Sequence, residues 1–238
     1  MNTLVNTATS RSQLFQLFAL GFSHPVAAFH HVLLDKSYAQ ALSSAASEAQ
    51  CPGQFTHTQS SEFTEFEADY IHLFQMGRGG KPLVGLNAGD HKDVAKEQGR
   101  PEFLLEYSAW YRHFGLKTIE DEGANELPDH LDCQLEFMSW LAHLENTACD
   151  DSELLQGYQR AQRDFLERHL QPHLEVMVTE LKRLADQARG NPFYLTLSAR
   201  ALEATDVLLE QLDSALIDAS QTDSPGNPEQ IAAVNLWG

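Results

Sequence analysis

Apolar residues recur at helical spacing along almost the whole chain, and that period leaves room for one fold class. Leu14, Phe15, Leu17, Phe18 and Phe22 mark one face of a first helix, with Ser10 or Ser12 as its expected N-cap. Val32, Leu33 and Tyr38 mark a second, shorter piece, and the Ala/Ser-rich run over 41–49 a third. Phe63, Phe66, Tyr70, Leu73 and Phe74 form the next stripe, and Phe103, Leu104, Tyr107, Trp110, Tyr111 and Phe114 another. Gly115 follows where a left-handed C-terminal cap falls. Leu131, Leu135, Met138 and Leu141 predict a helix over 128–148. Two more are expected over 153–170 and 172–188, the second opened by Pro172, whose missing N–H costs nothing at a first helical position. Leu197, Ala201, Leu202, Leu208, Leu209 and Leu212 predict a last helix over 193–216. No period-two run and no internal repeat competes. The expectation is an all-α, single-domain helical bundle over 10–216, a flexible N-terminus at 1–9 and a disordered polar tail at 217–238, where 231–237 could form a short docking element.

Charge narrows the partners. The formal net charge is −18. Such a chain repels phosphate backbones and anionic membrane surfaces, which argues against nucleic acid and against stable membrane insertion; a basic or apolar peptide is the better match. The cysteines Cys51, Cys133 and Cys149 are odd in number and lack a CxxC pair, so a reducing compartment fits better than a disulfide framework. The first residues lack a basic n-region and an apolar h-region, and no later run approaches a membrane span, so the expected location is cytoplasmic.

Two segments interrupt the helical period. One is glycine-rich, Gly77-Arg78-Gly79-Gly80-Lys81-Pro82; it lacks the spacing of a phosphate loop and reads as a flexible linker. The other begins at Lys117 and leads into Glu126-Leu127-Pro128-Asp129-His130. Between 117 and 136 the acids Glu120, Asp121, Glu122, Glu126, Asp129, Asp132 and Glu136 face a single lysine. Physically this is a helix start, with Pro128 fixing the backbone and Asp129 placed to cap. His130 in the first turn reads as a histidine bonded to backbone, and both residues are also candidates for binding. Asp129, His130 and Cys133 could converge on one face, but the spacing matches no standard zinc pattern, and no metal is assigned. No GxSxG, HExxH or Cys/His signature marks a catalytic residue. The aromatic stripes suit either a plain core or a groove for an apolar peptide.

These runs resemble the redox-enzyme maturation chaperones of the TorD/DmsD/NarJ type. The resemblance rests on Glu126 to His130 continued by Gln134 to Met138, on Tyr70-Ile71-His72-Leu73-Phe74, on the run from Tyr111 to Leu116, on that from Phe165 to Leu170, and on Asn191-Pro192-Phe193-Tyr194. They stand in the family's order and span residues 10–215. Where the family often has Pro-Leu-Tyr-Glu-Ser, this chain has Pro82-Leu83-Val84-Gly85-Leu86, so the roles of that tyrosine and glutamate do not carry over. The Gly-rich loop resembles the branch serving type II dimethyl-sulfoxide-reductase-like molybdoenzymes. The resemblance implies a cytoplasmic, non-enzymatic chaperone, a monomer or homodimer. It would bind a molybdoenzyme catalytic subunit and its twin-arginine leader and assist molybdopterin insertion before export. It would hold no cofactor tightly, touching at most the molybdopterin guanine dinucleotide of its client in passing. Leu73, Phe74, Tyr107, Glu126, Pro128, Asp129 and His130 are the expected client-binding residues. The rival readings are an assembly subunit bound to the mature enzyme, and a nucleotide-binding hydrolase using the Gly-rich loop.

Overall fold

The computed structural model describes residues 2–51, 53–56, 62–77, 79–95, 99–116, 127–187 and 189–222. These form the helices α1 (Asn2–Phe22), α2 (Ala27–Leu34), α3 (Ser37–Glu48), α4 (Phe63–Tyr70), α5 (Lys92–Ala95), α6 (Arg100–His113), α7 (Leu131–Thr147), α8 (Ser152–Phe165), α9 (Gln171–Asp186) and α10 (Pro192–Thr222). No strand occurs among the described residues, and the all-α expectation holds. No single helix there is long and apolar enough to cross a membrane.

Helix α1 packs along α7 and α3, and α10 lies against α9 and α8. One apolar core runs through all of them, from Leu14, Phe15 and Phe18 on α1 through Leu135, Phe137 and Met138 on α7 to Leu197 and Leu208 on α10. An aromatic cluster closes the α4 end: Phe66 stacks on Tyr194 at 5.6 Å, and Phe193 meets Phe29, Phe55 and Phe66 edge-on. The Asn191-Pro192-Phe193-Tyr194 run is a helix start feeding that cluster. Asn191 Oδ1 accepts the Phe193 N–H at 2.9 Å, and its Nδ2 donates to Asp69 at 2.8 Å.

Several boundaries differ from the periodic reading. Helix α1 is already formed at Asn2, so neither Ser10 nor Ser12 caps it; Ser10 instead donates to Glu48 on α3. Helix α10 continues through Ile217 to Thr222, because polar residues weaken the apolar period without breaking a helix; residues 223–238 lie outside the described ones. Pro172 does not open a separate helix after a break. A π-helical turn, Leu166–Leu170, joins α8 directly to α9, and Pro172 is tolerated just after it. A second π turn, Ile71–Gln75, ends α4. A π turn adds one residue without altering the apolar stripe enough to be read from spacing.

A buried ion pair ties three helices together. Arg11 on α1 donates to Glu145 on α7 at 2.9 Å, and Gln159 and Gln162 on α8 donate to the same carboxylate at 2.9 and 2.8 Å. Removing one charge of such a pair leaves the other buried without compensation, which costs about 3–5 kcal/mol. Glu145→Ala is therefore expected to lose stability on that scale in urea unfolding, while Glu153→Ala, on an exposed position of α8, stays within about 0.5 kcal/mol of the parent chain.

Candidate functional site

The residues singled out before α7 gather around one carboxylate. Asp129 is fully buried. It is not the cap of α7; that place belongs to His130, whose Nδ1 accepts the Asp132 N–H at 3.3 Å. Asp129 lies one residue too early to cap, and its side chain turns toward the segment between α4 and α6. One oxygen accepts Asn87 Nδ2 at 3.1 Å; the other accepts the Gly89 N–H at 2.8 Å and lies 3.1 Å from the Arg100 guanidinium. Burying a carboxylate is tolerable only when it is paired and hydrogen-bonded, and here both conditions are met from three directions. A Cβ on Gly89 would meet the Arg100 guanidinium, so a side chain there would push Arg100 from its place beside Asp129.

The backbone follows the same path. Ala88 N–H donates to Asp129 C=O at 3.0 Å and Leu131 N–H to Leu86 C=O at 2.8 Å, giving an isolated antiparallel bridge between Asn87 and His130. On the far side the π turn presents the Leu73 carbonyl, which accepts N–H groups from both Leu83 and Val84 at 2.8 and 2.9 Å. The middle segment is therefore pinned from two sides rather than free. The linker expected from its glycines is confined to the short approach around Gly79 and Gly80.

A histidine pair lies behind the segment. His91 bonds the Gly85 carbonyl at 2.9 Å and sits 3.7 Å from Glu180 on α9. Its ring is 5.3 Å from that of His173, which is itself 2.9 Å from Gln134 Nε2, and Gln134 donates in turn to Asp129 C=O. Burial works against a charged His91, but its bonds to Glu180 and Gly85 and the nearby Asp90 outweigh burial and raise its pKa. Burial, reinforced by His91, pushes His173 down to about 3. Burial and then Arg168 do the same to His169.

The expected client-binding residues divide accordingly. Asp129 and His130 belong to this site, and Pro128 supports it, its carbonyl accepting the Tyr111 hydroxyl at 2.6 Å. Leu73, Phe74 and Tyr107 are buried core residues, not an open groove. Tyr107 packs on Phe103 and on His169, and Phe74 lies edge-on to Tyr194. Glu126 lies outside the described residues. Sequence reading missed Arg100, Asn87, Gly89, His91, Gln134 and His173, which are scattered along the chain without a shared spacing. The one available signal was a glycine at 89 beside an amide and an acid. Among the described residues, no group of three or more His, Cys, Asp or Glu side chains is placed to hold a metal ion.

The histidines set an acid limit. A buried His with a depressed pKa contributes stability that is fully present above the unfolded value near 6.5 and is lost as pH falls toward about 3. His91 has the opposite sign: its contribution is present below 6.5 and fades as pH rises through its raised folded value. Urea titrations are expected to show stability dropping steadily below pH 6.5, with a shallower drop for His173→Gln. An unchanged slope in that variant would contradict a neutral, buried His173.

Comparison with known proteins identifies the type of chain. The family model described as nitrate reductase delta subunit matches residues 33–179. The chain is 36% identical over 97% of its length, and 93% of the relative's, to the dimethyl sulfide dehydrogenase assembly chaperone protein of Rhodovulum sulfidophilum. It is 31% identical over 89% of its length, and 97% of the relative's, to the perchlorate reductase assembly chaperone protein of Dechloromonas aromatica. The selenate reductase assembly chaperone protein of Thauera selenatis is 40% identical over 44% of this chain and 51% of that protein. No solved structure matches. The chain belongs to the nitrate reductase delta subunit family, the TorD/NarJ family of assembly chaperones, whose members are not catalysts.

Proposed function

We propose that this chain is a cytoplasmic assembly chaperone for the catalytic subunit of a molybdenum oxidoreductase, of the branch whose clients act on small sulfur, selenium or chlorine compounds. It holds the subunit and its twin-arginine leader before cofactor insertion and export. The observation that carries this reading is the 36% identity sustained over 97% of the chain to an assembly chaperone for dimethyl sulfide dehydrogenase. Net charge supports it: a chain at −18 suits a leader whose cationic end precedes an apolar run.

Asp129 does not await the leader as a free acid, because Arg100 already pairs with it. Its part in recognition is to shape the ground on which a client docks. The exposed acids of the surface, Glu136 among them, supply the field that attracts the cationic end.

Calorimetry with three peptides tests the proposal: the client's leader, the leader with both arginines changed to glutamine, and one with its apolar run scrambled. The leader is expected to bind with a negative heat-capacity change and to weaken as salt rises, since charges are screened over roughly 8–10 Å near physiological ionic strength. Both altered peptides are expected to bind at least about tenfold more weakly, a difference of about 1.4 kcal/mol. Equal affinity for all three would contradict recognition of the leader. Binding to the mature enzyme alone would transfer the function to an assembly subunit.

A further inference from the structure

The far end of α6 carries aromatic side chains to the surface. The helix stops at His113, and Gly115, at φ of 80°, turns the chain so that Leu116 N–H reaches Tyr111 C=O at 2.9 Å. Phe114 is left half-exposed at that cap. Its inner neighbours are the buried rings of Trp110, stacked at 6.2 Å, and Phe137 at 5.8 Å, so it rests on filled space. Two more half-exposed rings flank it. Trp140 of α7 donates its indole N–H to Phe114 C=O at 3.0 Å, and the ring of Tyr158 on α8 is 6.3 Å from that of Phe114. Leu154, 51% exposed, stands one turn before Tyr158 on the same face of α8. A lone exposed leucine is ordinary; a strip from Leu154 through Tyr158 and Phe114 to Trp140, drawn from three helices, marks an interaction surface. Its shape is set in advance, because the Trp140 ring is held by that bond to backbone and stacks on His143 at 5.5 Å.

The strip has a charged head. The turn from α7 into α8 holds Asp150, Asp151 and Glu153, all exposed and all just before Leu154. Asp151 caps α8, one carboxylate oxygen accepting the N–H groups of Glu153 and Leu154 at 3.1 Å each, which fixes the backbone that carries the three acids. At the other end Glu136, one turn before Trp140, is a single acid. Three acids against one give the strip a direction. Charge also selects the occupant. A second copy of the chain brings the same −18 and is repelled. A peptide whose cations precede an apolar run matches both the sign and the order.

We propose that this strip is the docking surface for the client's leader, with the arginines at the α7–α8 turn and the apolar run along Leu154, Tyr158, Phe114 and Trp140. This deepens the leader reading above and rests on it for the occupant. The Asp129 site then has a mechanical part. Arg100 at the start of α6 pairs with Asp129, and Tyr111 near its end donates to Pro128 C=O at 2.6 Å. The buried site thereby sets the helix whose cap presents Phe114.

Calorimetry of the leader against the full chain tests the surface. The variants are Leu154→Gln, the pair Asp150→Asn with Glu153→Gln, and, as a control of similar exposure on α2, Leu34→Gln, each checked by circular dichroism. Leu154→Gln is expected to weaken the leader about tenfold or more, and Leu34→Gln to leave it unchanged. The acid pair is expected to weaken the leader by about the same factor. It should not alter binding of a leader with both arginines changed to glutamine, because the lost charges have no partner there. Cys149, an exposed thiol in the same turn, gives a second readout: saturating leader is expected to slow its alkylation. A leader that binds the parent chain and every variant alike, or leaves Cys149 as reactive as before, would overturn the surface while the leader reading stands. Equal weakening of both leaders by the acid pair would overturn the placement of the arginines. A leader that binds no chain would overturn both the surface and the reading beneath it.

Discussion

The Asp129 carboxylate decides how the middle of this molecule is assembled. A charge in that position must be paired, and its three partners come from two stretches that share no helix: Asn87 and Gly89 from the middle segment, and Arg100 from the start of α6. Because Asp129 adjoins His130, the cap of α7, and α7 is the helix on which α1 and α8 pack, satisfying one acid registers the irregular part of the chain to the core. Gln134 extends the same arrangement inward, donating to Asp129 C=O and lying beside His173 on α9.

The two π turns complete this frame. The π turn ends the α4 run at Gln75, so Leu73 lies in its last turn, where carbonyls have no intrahelical partner, and its C=O accepts two N–H groups from the middle segment. The second π turn lets α8 and α9 run on as one element, and it places His169 beside Tyr107 and Glu106 of α6. Both fall on runs that carry the family resemblance, Tyr70 to Phe74 and Phe165 to Leu170. Local backbone geometry therefore gives those runs a physical reason beyond their contribution of apolar side chains.

Helices were legible because burial at a spacing of three and four leaves its mark on every amphipathic element, and the apolar stripes on α1, α4, α6, α7 and α10 fall where spacing placed them. The family was legible because several ordered runs agreed. Three features were not. The isolated bridge of Asn87 with His130 is too short to stand out from a glycine-rich stretch. The partner of Asp129 is an arginine far upstream, and no local pattern links the two. The aromatic stripe could be core or groove from composition alone; packing decides for core at Leu73, Phe74 and Tyr107, because their rings and branches already fill the interior. The acid that looked like a cap proved to be a cross-link, and the histidine after it took the capping role.

The proposed function sets a client, held before its cofactor arrives, on this helical scaffold with its pinned middle segment. Its central claim is that client maturation depends on this chain. The direct measurement is the molybdenum content and activity of the client enzyme purified from cells that lack the chain, compared with cells supplied with the parent chain, at equal client transcript levels. The account predicts a client that accumulates without molybdenum and without activity in the absence of the chain, and recovery of both when the chain is restored. Full molybdenum loading and full activity in its absence would contradict it.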